Sequence, residues 1–233
     1  MTRFIPVTLL FAAFAAAAPI PKDTERDRIE ARFGKIADPT GDCVFKLDGD
    51  TLSVTLPTNT SFDLCHRRDD VPKLLREAAG DFVLTVRIVT DLPKGAKGFK
   101  SVAYIGGGVQ LTGKKPDEWA KVVRCVNHFG DNPSGLFAVE SPPTATCNDG
   151  FGTGYVYPGL DGQSHHLRLT RKGKTLTSEA SADGKEWKAI LEPTPVPADE
   201  KLTVALFALH SSDKARTVTF SEYSIRPLKE EKK

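Results

Sequence analysis

The sequence predicts an all-β protein, a sandwich or a barrel assembled from roughly ten short strands. Three observations carry this reading. Apolar and polar residues alternate at a period of two along several runs, turn residues separate those runs, and no long amphipathic helix interrupts them. The sequence has no internal repeat, which argues against a propeller or a solenoid.

The chain opens on a different texture. Arg3 precedes an apolar run from Phe4 to Ala18 that ends in Ala15-Ala16-Ala17-Ala18. A charged start, a short apolar stretch and an A-x-A end describe a secretory signal over residues 1–18. The preferred cut lies between Ala17 and Ala18, since Pro19 is a poor residue to follow it. The run is about 15 residues, where a spanning helix needs ~20, so an uncleaved anchor is the weaker alternative. No Cys near the cut suggests a lipoprotein. The expected location is therefore secreted or periplasmic, with no membrane span once the signal is removed.

Residues 19–32 are polar and read as a linker or a short surface helix, with Thr24 as cap and Asp27 three residues on. From Phe33 the strand texture begins. Phe82, Leu84, Val86 and Ile88 alternate with Val83, Thr85, Arg87 and Val89, and Leu167 and Leu169 alternate with His166, Arg168 and Thr170. Val204 to Leu209 is apolar on both parities, as in a strand covered on each side. Val218 and Phe220 share one parity and Tyr223 and Ile225 the other, which predicts a bulge near Ser221. Further strands are expected at Val44–Leu47, Leu52–Leu56, Lys73–Glu77, Ala103–Leu111, Lys121–His128, Leu136–Glu140 and Leu176–Ala182. Pro72–Ala79 is the one helical competitor. Asp48-Gly49, Lys172-Gly173-Lys174 and Asp183-Gly184 supply hairpin turns. The strand domain is bounded at 33–227, and residues 228–233 form a charged tail.

Composition narrows the partners. Lys plus Arg number 32 against 30 Asp plus Glu, a formal net charge of +2, in a chain that is 39% hydrophobic. There is enough apolar material for a core, and no clustered basic surface of the kind that nucleic acid requires. The four cysteines, Cys43, Cys65, Cys125 and Cys147, suit an oxidising compartment, where an even count favours disulfides. Sequential pairing would close two loops of about 20 residues, each bridge contributing roughly 3 kcal/mol. Other pairings, and buried free thiols, remain open. No CxxC is present to seed a zinc site.

The chemistry-bearing patterns are sparse. No carboxylate series suited to glycoside hydrolysis and no G-x-S-x-G elbow occurs. His165 and His166 point to opposite faces of a strand, so they cannot chelate one metal together. Asp38-Pro39-Thr40-Gly41-Asp42 offers oxygens to calcium, although a turn is favoured over an ion site. No other cofactor is expected. Ser181 to Trp187 is similar to the Asp-box turn of sialidases but is one residue short and occurs once, so it reads as structural. Tyr155 and Tyr157 share a face at i, i+2. With Trp119 they are candidates for stacking a small polar ligand, core or edge aromatics being the alternative.

The order of Phe45–Asp50, Pro72–Glu77, Gly80–Arg87, Leu167–Arg171, Ser181–Trp187 and Val218–Phe220 resembles the concanavalin A-like lectin/glucanase superfamily, in particular its regulation-of-enolase type. The resemblance covers roughly Phe33 to Pro227. It implies a two-sheet antiparallel jelly-roll β-sandwich with one concave sheet that binds sugar. Carried over by position, strands Lys121–His128 and Ser164–Arg171 would both line that sheet, making Arg124, Arg168 and Glu140 its polar candidates. The Gly106-Gly107-Gly108 run and the cysteines lie outside the resemblance. The expected function is non-catalytic binding of carbohydrate or a glycosylated surface. The alternatives are an unfamiliar glycoside hydrolase or lyase, and an envelope scaffold that binds another protein.

Overall fold

The computed structural model describes residues 24–62, 70–90, 92–99, 103–115, 118–128, 133–141, 154–156 and 164–228. These form two open antiparallel sheets and one helix. Among them, no helix is long and apolar enough to cross a membrane.

Helix α1 (Glu25–Phe33) begins where the capping box predicts. The Thr24 hydroxyl accepts from the Asp27 amide at 3.1 Å, and the Thr24 amide donates to the Asp27 carboxylate at 2.9 Å. The helix ends at Gly34, whose φ of +113° and close approach to Leu75 leave no room for a side chain. Of the two readings of this polar stretch, the structure therefore has the short helix. It is docked, not free: Ile29 and Phe33 are buried, and the Phe33 ring stacks on Tyr223 at 5.7 Å.

The first sheet runs β1 (Lys35–Ala37), β5 (Lys73–Ala79), β15 (Lys201–Ser212), β7 (Tyr104–Thr112), β8 (Trp119–His128), β9 (Pro133–Glu140) and β10 (Gly154–Val156), with β4 (Thr60–Phe62) beside the far end of β15. The second runs β13 (Lys188–Ala189), β12 (Thr175–Ser181), β11 (Ser164–Lys172), β6 (Phe82–Thr90), β16 (Arg216–Pro227), β3 (Thr51–Leu56) and β2 (Val44–Asp48), with β14 (Thr194–Pro195) beside β12. The Pro72–Ala79 stretch is strand from Lys73 onward, and the predicted strands are all present within a few residues of their expected ends.

The core lies between the sheets. The second sheet contributes the alternate residues Phe82, Leu84, Val86 and Ile88 of β6 with Leu167, Leu169, Val218 and Phe220, each at most 1% exposed. Facing them, Gly107 of β7 is so close that a Cβ would meet Val218 at 2.8 Å and Phe220 at 3.1 Å. Its neighbours Gly106 and Gly108 face the other way, where Leu209 and Phe207 of β15 lie across the strand and are themselves buried. The glycine run thus thins β7 on both faces. Both parities of β15 are buried from Val204 to Ser212, as its apolar run predicts.

The two loop residues of the β2–β3 hairpin are Gly49 and Asp50, and Gly49 alone takes positive φ, which matches a type II′ turn. The β11–β12 hairpin is likewise type II′ at Gly173. Asp183-Gly184 sits inside a longer loop between β12 and β13, held by side-chain bonds and not by a two-residue turn. The bulge near Ser221 is present: the β16–β6 register shifts between Ser221 and Ser224, and Glu222 takes a φ of +52°.

Candidate functional site

The outer face of the second sheet is where polar side chains converge. Period-two alternation turns Thr85 of β6, His166 and Arg168 of β11 and Ser224 and Arg226 of β16 away from the core. Register sets them in rows. Ser224, Thr85, Arg168 and Glu179 lie directly across four strands. Thr85 and Ser224 share a hydroxyl hydrogen bond of 2.9 Å, and Arg168 grips Glu179 through Nε at 2.6 Å and Nη2 at 2.7 Å. That fork leaves Nη1 for a third group.

The wall above this row comes from the Ser181–Trp187 loop. The Ser181 hydroxyl accepts from the Gly184 amide at 2.9 Å, and Asp183 Oδ1 accepts from the Lys185 and Glu186 amides at 2.8 and 3.0 Å. These donors hold the Asp183 carboxyl down at about 2. The loop then lays Trp187 over the sheet, its ring centroid 4.3 Å from the Arg168 guanidinium carbon and edge-on to His166 at 6.5 Å. Gly184 rests on the His166 ring, where a Cβ would lie 3.3 Å from Nε2. His166 Nε2 faces the Glu222 carboxylate at 3.3 Å, and its Nδ1 is buried without a partner. The result is a cleft of about 360 Å³ bounded by Thr85, His166, Arg168, Trp187, Glu222 and Arg226. That is within the range of ~300–1,000 Å³ typical of small-molecule sites.

Arg168 is thus one predicted residue that the structure sets in a cleft. Arg124 is elsewhere. Strands β8 and β11 belong to different sheets, so the expectation that they share one sugar-binding face is corrected. Arg124 points between the sheets and is 1% exposed. Its Nε donates to His165 Nδ1 at 3.1 Å, its Nη1 donates to the carbonyls of Cys125 at 2.9 Å and Leu136 at 3.1 Å, and its guanidinium lies 5.1 Å from the Phe137 ring. Burial, then the neighbouring Arg124 charge, pushes His165 down to about 4, so the ring is neutral and able to accept. His165 and His166 face opposite ways, as their adjacency requires.

The remaining candidates are scattered. Trp119 starts β8, with Lys121 Nζ 5.5 Å from its ring centroid, beside a smaller cavity of about 220 Å³ walled by Glu118, Ser141 and the Pro195–Ala198 stretch. Tyr155 pairs in register with Phe137, which pairs with Arg124, so β10 does not bring it to Trp119. The Tyr155 side chain and the whole of Tyr157 lie outside the described residues. Glu140 pairs with Lys121 on the backbone, and its side chain is likewise outside them. Ligand atoms of Asp38, Asp42 and Cys43 lie within 4.8 Å of one another. The Thr40 hydroxyl already bonds both carboxylates, and the Cys43 amide donates to Asp38 at 3.0 Å, which is the hydrogen bonding of a turn.

No disulfide joins two described residues. Cys43 has a free thiol, raised to about 12 first by burial and then by Asp38, while Cys125 is buried with Sγ 3.8 Å from the Val126 carbonyl. Cys65 and Cys147 lie outside the described residues. The cleft residues Glu222 and Arg226 escape sequence reasoning, and Trp187 falls in the loop that reads there as structural. The available signal was parity: Arg168 and His166 face outward beside Thr85, and the Asp turn follows the strand paired with theirs.

Two open antiparallel sheets packed face to face define the protein as a β-sandwich. A functionally unknown protein from Saccharomyces cerevisiae has this fold, with a TM-score of 0.61 at 18% identity over 84% of this chain and 96% of that one. An alginate lyase from Pseudomonas aeruginosa is similar at a TM-score of 0.48 and 16% identity, over 79% and 86% of the two chains. The exoplasmic/lumenal domain of VIP36, in a form bound to Ca2+ and Man3GlcNAc, follows at 0.45 and 10%, over 82% and 84%. The first of these likenesses establishes the fold, and none establishes a function. No family model and no curated protein matches the sequence.

Proposed function

We propose that this chain is an exported, non-catalytic sandwich of the concanavalin A-like, regulation-of-enolase type that binds carbohydrate, and that the cleft around Trp187 is its site. One observation carries the reading: an indole held over the sheet within a 360 Å³ cleft, among outward hydroxyls and a guanidinium with a donor to spare. Flat apolar rings rimmed by hydrogen-bonding groups suit the two faces of a pyranose. The bidentate bond to Glu179 fixes Arg168, so a sugar hydroxyl meets a donor already in place.

The test is a glycan-array and insoluble-polysaccharide screen, run with calcium and with chelator, calcium entering as the candidate ion of the Asp38–Asp42 loop. Trp187→Ala is expected to weaken saturable binding roughly tenfold or more, equivalent to about 1.4 kcal/mol, while the fold persists by circular dichroism. Silence across the screen from folded protein would leave the envelope scaffold, which predicts a co-purifying protein partner.

A catalytic reading has one specific observation behind it, the His166–Glu222 pair at 3.3 Å. Hydrolysis needs two carboxylates across a sugar ring, and Glu222 is the sole carboxylate among the described residues lining the cleft. Proton abstraction by an oriented imidazole is closer to what is there. Glycan turnover that His166→Asn abolishes, with binding retained, would move the assignment to a lyase.

A further inference from the structure

Charge pairing in the cleft specifies more than a sugar ring. Four charged or titratable side chains line it: Arg168, His166, Glu222 and Arg226. Two of the four face each other, His166 Nε2 lying 3.3 Å from a Glu222 carboxylate oxygen. Arg168 is matched from beside the cleft, where both Glu179 oxygens accept from it. Arg226 alone has no hydrogen bond or ion pair among the described residues, and it is exposed on the rim.

Register separates these groups. Arg226 pairs with Val83 on one side of the Ser224–Thr85–Arg168 row, and His166 pairs with Arg87 on the other. The Glu222 charge is therefore held at the His166 end, and the uncompensated cation stands at the opposite end of the cleft. Between them lie Trp187 and the Thr85–Ser224 hydroxyl pair. A planar guanidinium matches a carboxylate with two parallel hydrogen bonds, which an isolated hydroxyl cannot equal.

We infer that the ligand is an acidic saccharide, with a uronic-acid carboxylate on Arg226 while the sugar ring lies against Trp187. This rests on the carbohydrate reading above and adds the charge of the sugar. Sulfate and phosphate esters are other anions a guanidinium accepts, so the probes must separate charge from carboxylate geometry.

The experiment is titration calorimetry on the full chain with oligogalacturonate, oligomannuronate and oligoguluronate. Each is set beside its carboxyl-reduced neutral counterpart, with a sulfated neutral oligosaccharide as the anion control. At least one uronate is expected to bind ten- to a hundredfold more tightly than its reduced form, the scale of a hydrogen bond to a charged group. That preference should weaken as salt rises, and Arg226→Gln should remove it, so that the acidic and reduced forms bind alike. Equal binding of acidic and reduced forms, a preference that survives Arg226→Gln, or tighter binding of the sulfated probe would overturn the inference and leave the carbohydrate reading standing. Failure of every saccharide, neutral ones included, would remove both.

Discussion

Gly108→Ala is expected to destabilise the protein by more than about 3 kcal/mol, the upper end for forcing extra volume into a packed interior. The added methyl would sit 2.2 Å from the Val122 carbonyl oxygen, 2.7 Å from the Phe207 ring and 3.0 Å from the Val123 Cα. Two of those three contacts are backbone of the neighbouring strand, which cannot swing aside as a side chain can. Relief requires β7 and β8 to part in the middle of the first sheet, where both are hydrogen-bonded along their length. Phe207 is 0% exposed, so it has nowhere to retreat either. Urea denaturation reads the outcome as a large fall in midpoint or a failure to accumulate folded protein. A midpoint within experimental error of the parent would show that the sheet is looser than described.

Acid is expected to cost the protein several kcal/mol before its carboxylates begin to titrate. His165 and His210 are 2% and 0% exposed, and burial is the first cause holding each ring at about 4, against 6.5 unfolded. Neighbouring cations add to this, Arg124 for His165 and Arg216 for His210. The folded protein therefore binds fewer protons than the unfolded chain between about pH 6.5 and 4. Stability is full above that window, falls as pH drops through it, and levels off below it for these two groups. Each shift is equivalent to roughly 3 kcal/mol at full protonation. Denaturation midpoints at pH 7.5 and pH 5.0 should differ clearly. His210→Asn, which keeps a polar group near the Thr60 hydroxyl now 2.9 Å from Nε2, should flatten part of the difference. A midpoint unchanged between the two pH values would contradict the burial of neutral imidazole.

The fold was legible because alternation and turn chemistry are local. Phe82 to Ile88 must put one parity inward whatever they pair with, and Thr24 with Asp27 caps a helix without help from afar. What could not be read was pairing between distant segments. Gly106-Gly107-Gly108 had no local rationale, since the atoms that exclude a side chain belong to β8, β15 and β16. Arg124 looked like a ligand group because its strand was assigned to the same sheet as β11. Only the register shows that the two strands face each other across the core, with Arg124 and His165 meeting in the middle. The cleft illustrates the same limit. Trp187 sits in an Asp turn that reads as structural from its sequence, while its neighbours Glu222 and Arg226 arrive from the last strand, where a bulge turns Glu222 outward. Aromatic spacing singles out Tyr155, and the register pairs it with Phe137, on the same strand row as Arg124.

The chain has two tryptophans, which makes the central claim directly measurable. Indole N–H resonances of ¹⁵N-labelled protein, assigned with Trp187→Phe, can be followed during titration with the saccharide that the screen selects. The account predicts that the Trp187 resonance moves saturably with the ligand while that of Trp119 stays in place. Movement of Trp119 with Trp187 unmoved would contradict it, and would transfer the site to the smaller cavity at the start of β8.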